Sequence, residues 1–145
     1  MDMENDPVRT IENGLSAFAA GDLDRWLAVC AGDVEFAFPF APEGRPRVIR
    51  GRGAVEAYLR GVSDAATART IRSLKTYRTD TPGVVVVELT VRGEHRDPTG
   101  EHRGTPVVRD TSSIAVVSVQ DGRISTYRDY WNPQGGRTVP TGVAA

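Results

Sequence analysis

Three residues near the end of the chain have the spacing of a small acid–base site. Tyr127, Asp129 and Trp131 lie two positions apart, so an extended strand places them on one face, together with Ser125. A carboxyl group between two aromatic rings is partly removed from water, which disfavours its charged form and raises its pKa. Such a group can accept and donate protons near neutral pH. Alternatively, Asp129 pairs with an arginine and only stabilises the sheet.

The other chemically capable residues are isolated along the chain. His95 and His102 flank a Pro-Thr-Gly turn, but no third ligand has suitable spacing, so we expect exposed histidines and no metal. Glu35 lies in a strand rich in phenylalanine, where either a pocket role or a solvent role is open. Asp110 is interpreted as a strand-end residue. Cys30 lies in an apolar stretch and is expected to be a buried structural thiol. No cofactor is predicted.

Three helices are predicted in the first half of the chain. The first begins at Asp6 with Pro7 in its first turn and ends at Gly21, and Asp22 caps the second. The third spans 53–62. Apolar side chains recur at helical spacing on one face of each helix: Val8, Ile11, Leu15 and Phe18; Leu23, Trp26, Leu27 and Cys30; and Val55, Tyr58, Leu59 and Val62.

Strands are predicted over 33–40, 69–78, 84–91, 105–119 and 124–131, with a loop over 41–50. Short turns join the last four strands, which predicts an antiparallel meander. The segment 84–91 is apolar at nearly every position, so we expect it to be covered on both faces. The order predicts an α+β fold in which three helices cover one face of a curved sheet. We therefore predict one domain over 1–132 and a flexible tail over 133–145.

Composition narrows the function classes. The 145 residues carry a net charge of -1, which argues against a nucleic-acid partner. No apolar run is long enough to cross a membrane, and the acidic N-terminus lacks the apolar core of a signal peptide. A cytoplasmic protein is the simplest interpretation.

Three stretches, 18–23, 33–55 and 121–133, resemble the SnoaL-like group of the NTF2-like superfamily. The resemblance implies a cone-shaped fold, a homodimer and an apolar pocket toward which Asp129 points. It also implies that a small hydrophobic ligand binds against residues lining that pocket: Tyr127, Trp131, Trp26, Tyr58, Phe36, Phe38, Leu89, Val91 and Ser113.

The resemblance does not extend to the full catalytic sets of known members. Where ketosteroid isomerases carry a tyrosine and two acids, this chain has Gly14, Phe38 and Ala115. Where limonene-epoxide hydrolases carry an arginine and an aspartate, it has Leu89 and Val91. Asp129 matches an acid of the latter group. The ending Asn-Pro at 132–133 is closer to the PhzA/PhzB-type proteins of phenazine assembly.

Two hypotheses follow. In the first, the chain is a cofactor-independent enzyme in which Asp129 moves a proton on a hydrophobic metabolite during cyclisation, isomerisation or epoxide opening. In the second, it is a non-catalytic protein that binds a small molecule or joins a complex, since fold alone does not assign chemistry. Polar groups converging on Asp129 would favour the enzyme.

Overall fold

A computed structural model describes residues 6–64, 66–95, 107–134 and 136–139. Its helices and strands are listed here in chain order: α1 Pro7–Ala19, α2 Leu23–Ala28, β1 Cys30–Ala37, β2 Val48–Arg50, α3 Arg52–Asp64, β3 Ala66–Arg78, β4 Val84–His95, β5 Val107–Gln120, β6 Arg123–Trp131 and β7 Arg137–Thr138. The predicted α+β class is confirmed. No helix within the described ranges is long and apolar enough to cross a membrane.

The strands form one sheet in the order β2-β1-β6-β5-β4-β3, and β7 pairs with β5. The meander from β3 to β6 is antiparallel throughout, as predicted. Outside this meander one pairing is not antiparallel, because β1 runs parallel to β6. Turn lengths predict the direction only of strands that follow one another, and these two are separated by most of the chain.

Caps confirm the predicted starts of the first two helices and the end of the first, but α2 ends at Ala28, so the prediction that Cys30 lies on it is wrong: Cys30 begins β1. The Asp6 side chain accepts a hydrogen bond from the Val8 backbone N–H at 3.2 Å. Gly21 has φ of 81°, the left-handed conformation that ends helices. The Asp22 side chain accepts from the Arg25 N–H at 3.1 Å and starts α2.

Two short strands were not predicted. The supposed loop over 41–50 contains β2, whose Ile49 pairs with Phe36 of β1. Within the segment expected to be a tail, β7 pairs Thr138 with Arg109 of β5, and the Val139 N–H donates to the Val108 carbonyl at 2.8 Å. Both pairings depend on a distant partner strand, which local composition does not reveal.

The helices cover one face of the sheet, here called the inner face. Its buried core includes Val85, Val87, Ala115 and Val117. On the opposite, outer face Val86 is half-buried and Ile114 is 47% exposed. The expectation that 84–91 is covered on both faces is therefore wrong for the single chain.

A bulge resets the alternation of β6. Ser118 pairs with Thr126 but Val119 pairs with Ile124, so β6 has one extra residue, Ser125, at this point. Ile124 is fully buried and shares the inner face with Tyr127. Ser125 leaves that face, and its hydroxyl donates to the Ser118 carbonyl at 3.2 Å. The prediction that Ser125 lies beside Tyr127, with Ile124 opposite, is wrong.

Candidate functional site

Asp129 lies on the inner face, in the row of Ala115 and Val87. Its flanking residues Tyr127 and Trp131 share that face, because they pair with Val117 and Ser113 of β5. Beyond the bulge, the predicted placement of the three residues therefore holds.

Asp129 is half-buried, and one oxygen of its carboxyl group lacks a partner among the described residues. Its Oδ1 atom is shielded from solvent and has no hydrogen-bond partner within the described ranges. Burial raises its pKa from 3.8 to about 6, because removal from water penalises the carboxylate. The described residues form no ion pair with it, and the neighbouring Arg128 is exposed on the other face. Among the described residues, nothing therefore supports the alternative in which Asp129 pairs with an arginine.

An aromatic cluster packs on the inner face around Tyr127, two residues from Asp129. The rings of Phe36 and Tyr127 stack with centroids 5.2 Å apart. Trp26 meets both edge-on, at 6.2 and 6.0 Å. All three are buried, and burial raises the pKa of Tyr127. These three residues, which were predicted to line the pocket, are thus packed against one another in the buried core next to Asp129.

Tyr58 and Phe38 bring a second aromatic pair to the site from α3 and the end of β1. Their centroids lie 5.3 Å apart, and Tyr58 is half-buried. Burial raises the pKa of the Tyr58 phenol; Arg45 opposes this rise, whereas the Asp129 carboxylate adds to it. Tyr58 is therefore a neutral hydroxyl within electrostatic range of Asp129.

The inner face beyond Asp129 is only partly covered. Two cross-strand rows follow it, both of half-buried residues: Trp131, Ser113, Leu89 and Leu74, then Thr111, Val91 and Ile71. Buried rows give way to half-buried rows at Asp129, so a ligand would enter from this side. The predicted residues Trp131, Ser113, Leu89 and Val91 all lie there.

Two acidic residues considered from the sequence are not brought to Asp129. Glu35 faces outward and forms an ion pair with Arg50 at 3.0 Å. Asp110 accepts two hydrogen bonds from the Arg92 guanidinium, at 2.9 and 3.1 Å. These bonds hold the Asp110 pKa below its usual value. Both acids are explained by pairing between neighbouring strands.

The remaining candidates are structural or lie outside the described part. Cys30 is fully buried as predicted, and burial raises its pKa to about 11, which makes it a poor nucleophile. His102 and the side chains of His95 and Val62 lie outside the described residues. Within the described ranges no three potential ligands converge on a metal site.

A separate polar cavity of about 480 Å³ lies on the outer side of β1 and β6. Its lining contains charged and hydroxyl side chains, among them Asp33, Glu35, Arg123 and Thr126. The bulged Ser125 also lines it. This cavity contains none of the aromatic residues around Asp129 and is distinct from the candidate site.

A contact between Arg69 of β3 and Phe18 of α1, at the outer end of the inner face, was not predicted from the sequence. The Arg69 guanidinium lies over the Phe18 ring, 5.1 Å from its centroid. Because Arg69 is two residues from Ile71, strand alternation could have placed its side chain on the inner face. The contact with α1 joins distant parts of the chain, so no sequence pattern predicts that contact.

Comparison with known proteins gives a consistent assignment. Residues 11–127 match the SnoaL-like domain family. The chain is 30% identical over 124 residues to the uncharacterized protein YesE of Bacillus subtilis, covering 86% of this chain and 80% of that protein. It is 29% identical over 126 residues to a PhzA/B-like protein of Pseudomonas aeruginosa, covering 87% and 79%.

A solved structure agrees with the fold. The crystal structure of a proposed isomerase from Bacillus subtilis superposes with a TM-score of 0.73 and 28% identity, covering 92% of this chain and 91% of that one. The fold and the family match over most of the chain lead to one conclusion: the chain belongs to the SnoaL-like domain family, which is consistent with the NTF2-like superfamily.

Proposed function

We propose that this protein is a cofactor-independent enzyme that moves a proton on a small hydrophobic molecule, with Asp129 as general acid and base. The supporting observation is the Asp129 carboxyl group, which is buried on the inner face with an unpartnered Oδ1. An acid whose pKa is about 6 populates both protonation states near neutral pH, as proton transfer requires. Cyclisation, isomerisation and epoxide opening are all compatible with this chemistry.

Three further observations support the proposal. The carboxyl group borders half-buried apolar rows, which suit a hydrophobic substrate. Tyr58 is a neutral hydroxyl whose pKa the Asp129 carboxylate helps to raise, and it could donate to an oxygen that gains charge during reaction. The solved relative at 28% identity is itself described as a proposed isomerase.

The first test is the Asp129 pKa, measured by carboxyl-carbon NMR titration with Asp129→Asn used to assign the signal. We expect a midpoint near 6, because the carboxylate is desolvated and no cation of the described ranges pairs with it. A midpoint at or below the ordinary 3.8 would mean a solvated or paired carboxylate and would contradict the acid–base role. Once a substrate is found, Asp129→Asn should keep binding and lose turnover.

The second candidate function is non-catalytic binding on the same fold. It is favoured by the residues that replace the catalytic partners known in relatives, namely Gly14, Phe38, Leu89 and Val91. Phe38 packs against Tyr58, Leu89 packs against the core and the ring of Trp26 closely approaches Gly14. Asp129→Asn distinguishes the two functions, since a binding protein would have no turnover to lose.

We also propose that the protein forms a homodimer through the outer face of the sheet. Tyr130 pairs with Ile114 on that face, and Phe40 meets the Tyr130 ring edge-on with centroids 5.5 Å apart. Phe40 is 61% exposed and Ile114 47% exposed. Val116 and Val86 lie in the neighbouring cross-strand row, next to the exposed charges of Glu88 and Arg128, and exposed apolar side chains favour association.

Replacing Ile114 with arginine should convert the dimer to monomer. The guanidinium would be taken out of water at the contact, and an ion pair with Glu88 directly opposite would offset only part of that cost. Light scattering coupled to gel filtration measures the mass directly. Ala57→Arg, on the exposed side of α3, is the matched control and should leave the dimer intact. A wild-type protein that is monomeric at all concentrations would contradict the interface.

A further inference from the structure

Two neighbouring cross-strand rows of β4, β5 and β6 lie on the outer face of the sheet. Within each row, residues directly opposite one another project to the same side. Each row has two apolar residues and one charged residue, and the two charges are at opposite ends. The four apolar side chains therefore form a diagonal, here called the outer stripe. The first row is Glu88, Ile114 and Tyr130, and the second row is Val86, Val116 and Arg128.

A cation and an anion lie on opposite sides of the outer stripe. Arg128 is at the β6 end of one row, Glu88 is at the β4 end of the other, and both residues are exposed. The spacing of strands and of residues along them puts the two Cα atoms about 12 Å apart. The midpoint between them falls on β5, between Ile114 and Val116, so the apolar stripe separates the two charges.

Neither charge is neutralised within the described part of the chain. Elsewhere on the same face, Arg92 forms an ion pair with Asp110 at 2.9 Å. No ion pair among the described residues includes Arg128 or Glu88. Lys75 of β3 is the cross-strand partner of Glu88, but these two side chains do not form an ion pair. Arg128 and Glu88 are therefore available to a molecule that covers this face.

The pattern is complementary to itself under a two-fold rotation. When two copies of one sheet meet face to face, the axis that relates them lies in the plane between the sheets. An axis directed along the outer stripe exchanges the two sides of the stripe. It therefore places Arg128 of one copy over Glu88 of the other, and the symmetry makes this contact twice. The apolar side chains meet their own counterparts along the axis, so a second copy matches both the charges and the stripe.

We propose that two copies of this chain pack along the outer stripe on a two-fold axis, with Arg128 of each copy forming an ion pair with Glu88 of the other. This inference rests on the proposed homodimer and names the axis and the residues that fix it. The guanidinium N–H groups donate to the carboxylate oxygens. Apolar contact favours association, and the two ion pairs select the orientation, because electrostatic complementarity supplies specificity more than affinity.

Complementary charge reversals test the pairing. Arg128→Glu places two acids opposite each other at both contacts, and Glu88→Arg places two cations there. Each variant alone should raise the dissociation constant of the dimer by about 100-fold or more, because like charges that face each other across an interface oppose association. The chain that carries both changes regains opposite charges and should dimerise within about tenfold of wild type. Sedimentation velocity over a range of concentrations measures each constant.

Mixing the two single variants gives the sharper result. Chains with Arg128→Glu have an acid on each side of the outer stripe, and chains with Glu88→Arg have a base on each side. Neither variant complements itself, but each complements the other. The mixture should therefore form a heterodimer with one chain of each kind, which native mass spectrometry identifies because the two chains differ in mass. This outcome requires that the partner is a second copy of this chain.

Arg123→Glu is the matched control for Arg128→Glu. Arg123 is exposed on the same strand, and the change in net charge is identical, but the residue lies five positions from Arg128, beyond the outer stripe. Its dissociation constant should stay near that of wild type. Because Arg128 and Glu88 are exposed, their reversal should leave the fold of the monomer intact, which circular dichroism checks.

Three results would overturn the pairing: dimers that persist unchanged in both single variants, an equal loss in Arg123→Glu, or a mixture that stays monomeric. A wild-type chain that is monomeric at all concentrations would refute the dimer itself and this pairing with it. A wild-type dimer that tolerates both reversals would refute only the pairing. The Asp129 titration is independent of all these outcomes, so the acid–base role and the interface can fail separately.

Discussion

Replacing Asp129 with asparagine should stabilise the fold at pH 8, by about 1–2 kcal/mol. In the folded protein the Asp129 pKa is raised from 3.8 to about 6, so the folded state holds this proton more tightly than the unfolded state does. The free energy of unfolding therefore falls as pH rises from about 4 to about 6, and the loss persists above that range. Asparagine carries no charge and avoids it.

The measurement is the free energy of unfolding by urea at pH 4 and pH 8, for wild type and variant. The difference should be small at pH 4 and largest at pH 8. Asp110→Asn is the control with the opposite sign, because Arg92 lowers the pKa of Asp110, and it should destabilise the fold at pH 8. If Asp129→Asn is less stable than wild type at pH 8, the claim that the Asp129 carboxylate lowers the stability of the fold is wrong. An acidic residue that lowers the stability of the fold is typical of an active site.

Replacing Gly14 with alanine should destabilise the protein by about 1–3 kcal/mol. A Cβ at Gly14 would lie 2.6 and 2.7 Å from Cζ3 and Cε3 of Trp26 and 2.9 Å from Cγ2 of Val29. The Trp26 ring cannot move aside freely, since Phe36 and Tyr127 hold its other contacts. The gain in helix propensity, up to about 1 kcal/mol, offsets only part of this cost.

Gly61→Ala is the matched control for this prediction. Gly61 also lies within a helix, α3, but nothing is within 4 Å of its added Cβ. The same change there should raise the unfolding free energy by about 0.4–1 kcal/mol. Thermal unfolding of the two variants compares them directly, and a Gly14→Ala protein as stable as Gly61→Ala would show that Trp26 is loosely held.

The helix caps and the turns of the meander could be predicted because their signals are local. Asp6, Gly21 and Asp22 act through neighbouring backbone groups, and all three are where the pattern predicts. The hairpin between β5 and β6 is similar, since Asp121 and Gly122 adopt φ of 53° and 75°. The parallel pairing of β1 with β6 joins distant parts of the chain, so the spacing of residue types along the sequence does not predict it.

The placement of Asp129 could be predicted only in part. Its alternation with Tyr127 and Trp131 holds, because the bulge lies before Tyr127 and not after it. The pattern could not show that the rings of Trp26, Phe36 and Tyr127 pack against one another in the buried core. Nor could it place Arg69 over Phe18, because that contact joins α1 to a strand that begins after α3.

The replacement of a relative's tyrosine by Gly14 has a physical counterpart in the structure. The space next to Gly14 is filled by the benzene edge of Trp26, which belongs to a different helix. Where the resemblance to ketosteroid isomerases implies a catalytic tyrosine, this chain therefore has an apolar ring in the adjacent space.

The parallel pairing of β1 with β6 has a consequence for how the chain folds. Phe36 pairs with Tyr127, so this contact closes a loop of roughly 90 residues, whereas the β3–β6 hairpins close short ones. We expect the meander to form first and the segment from α1 to β1 to dock last. Asp129 would then stay hydrated until the final step. Its desolvation would slow the closing of the cone more at pH 8 than at pH 4.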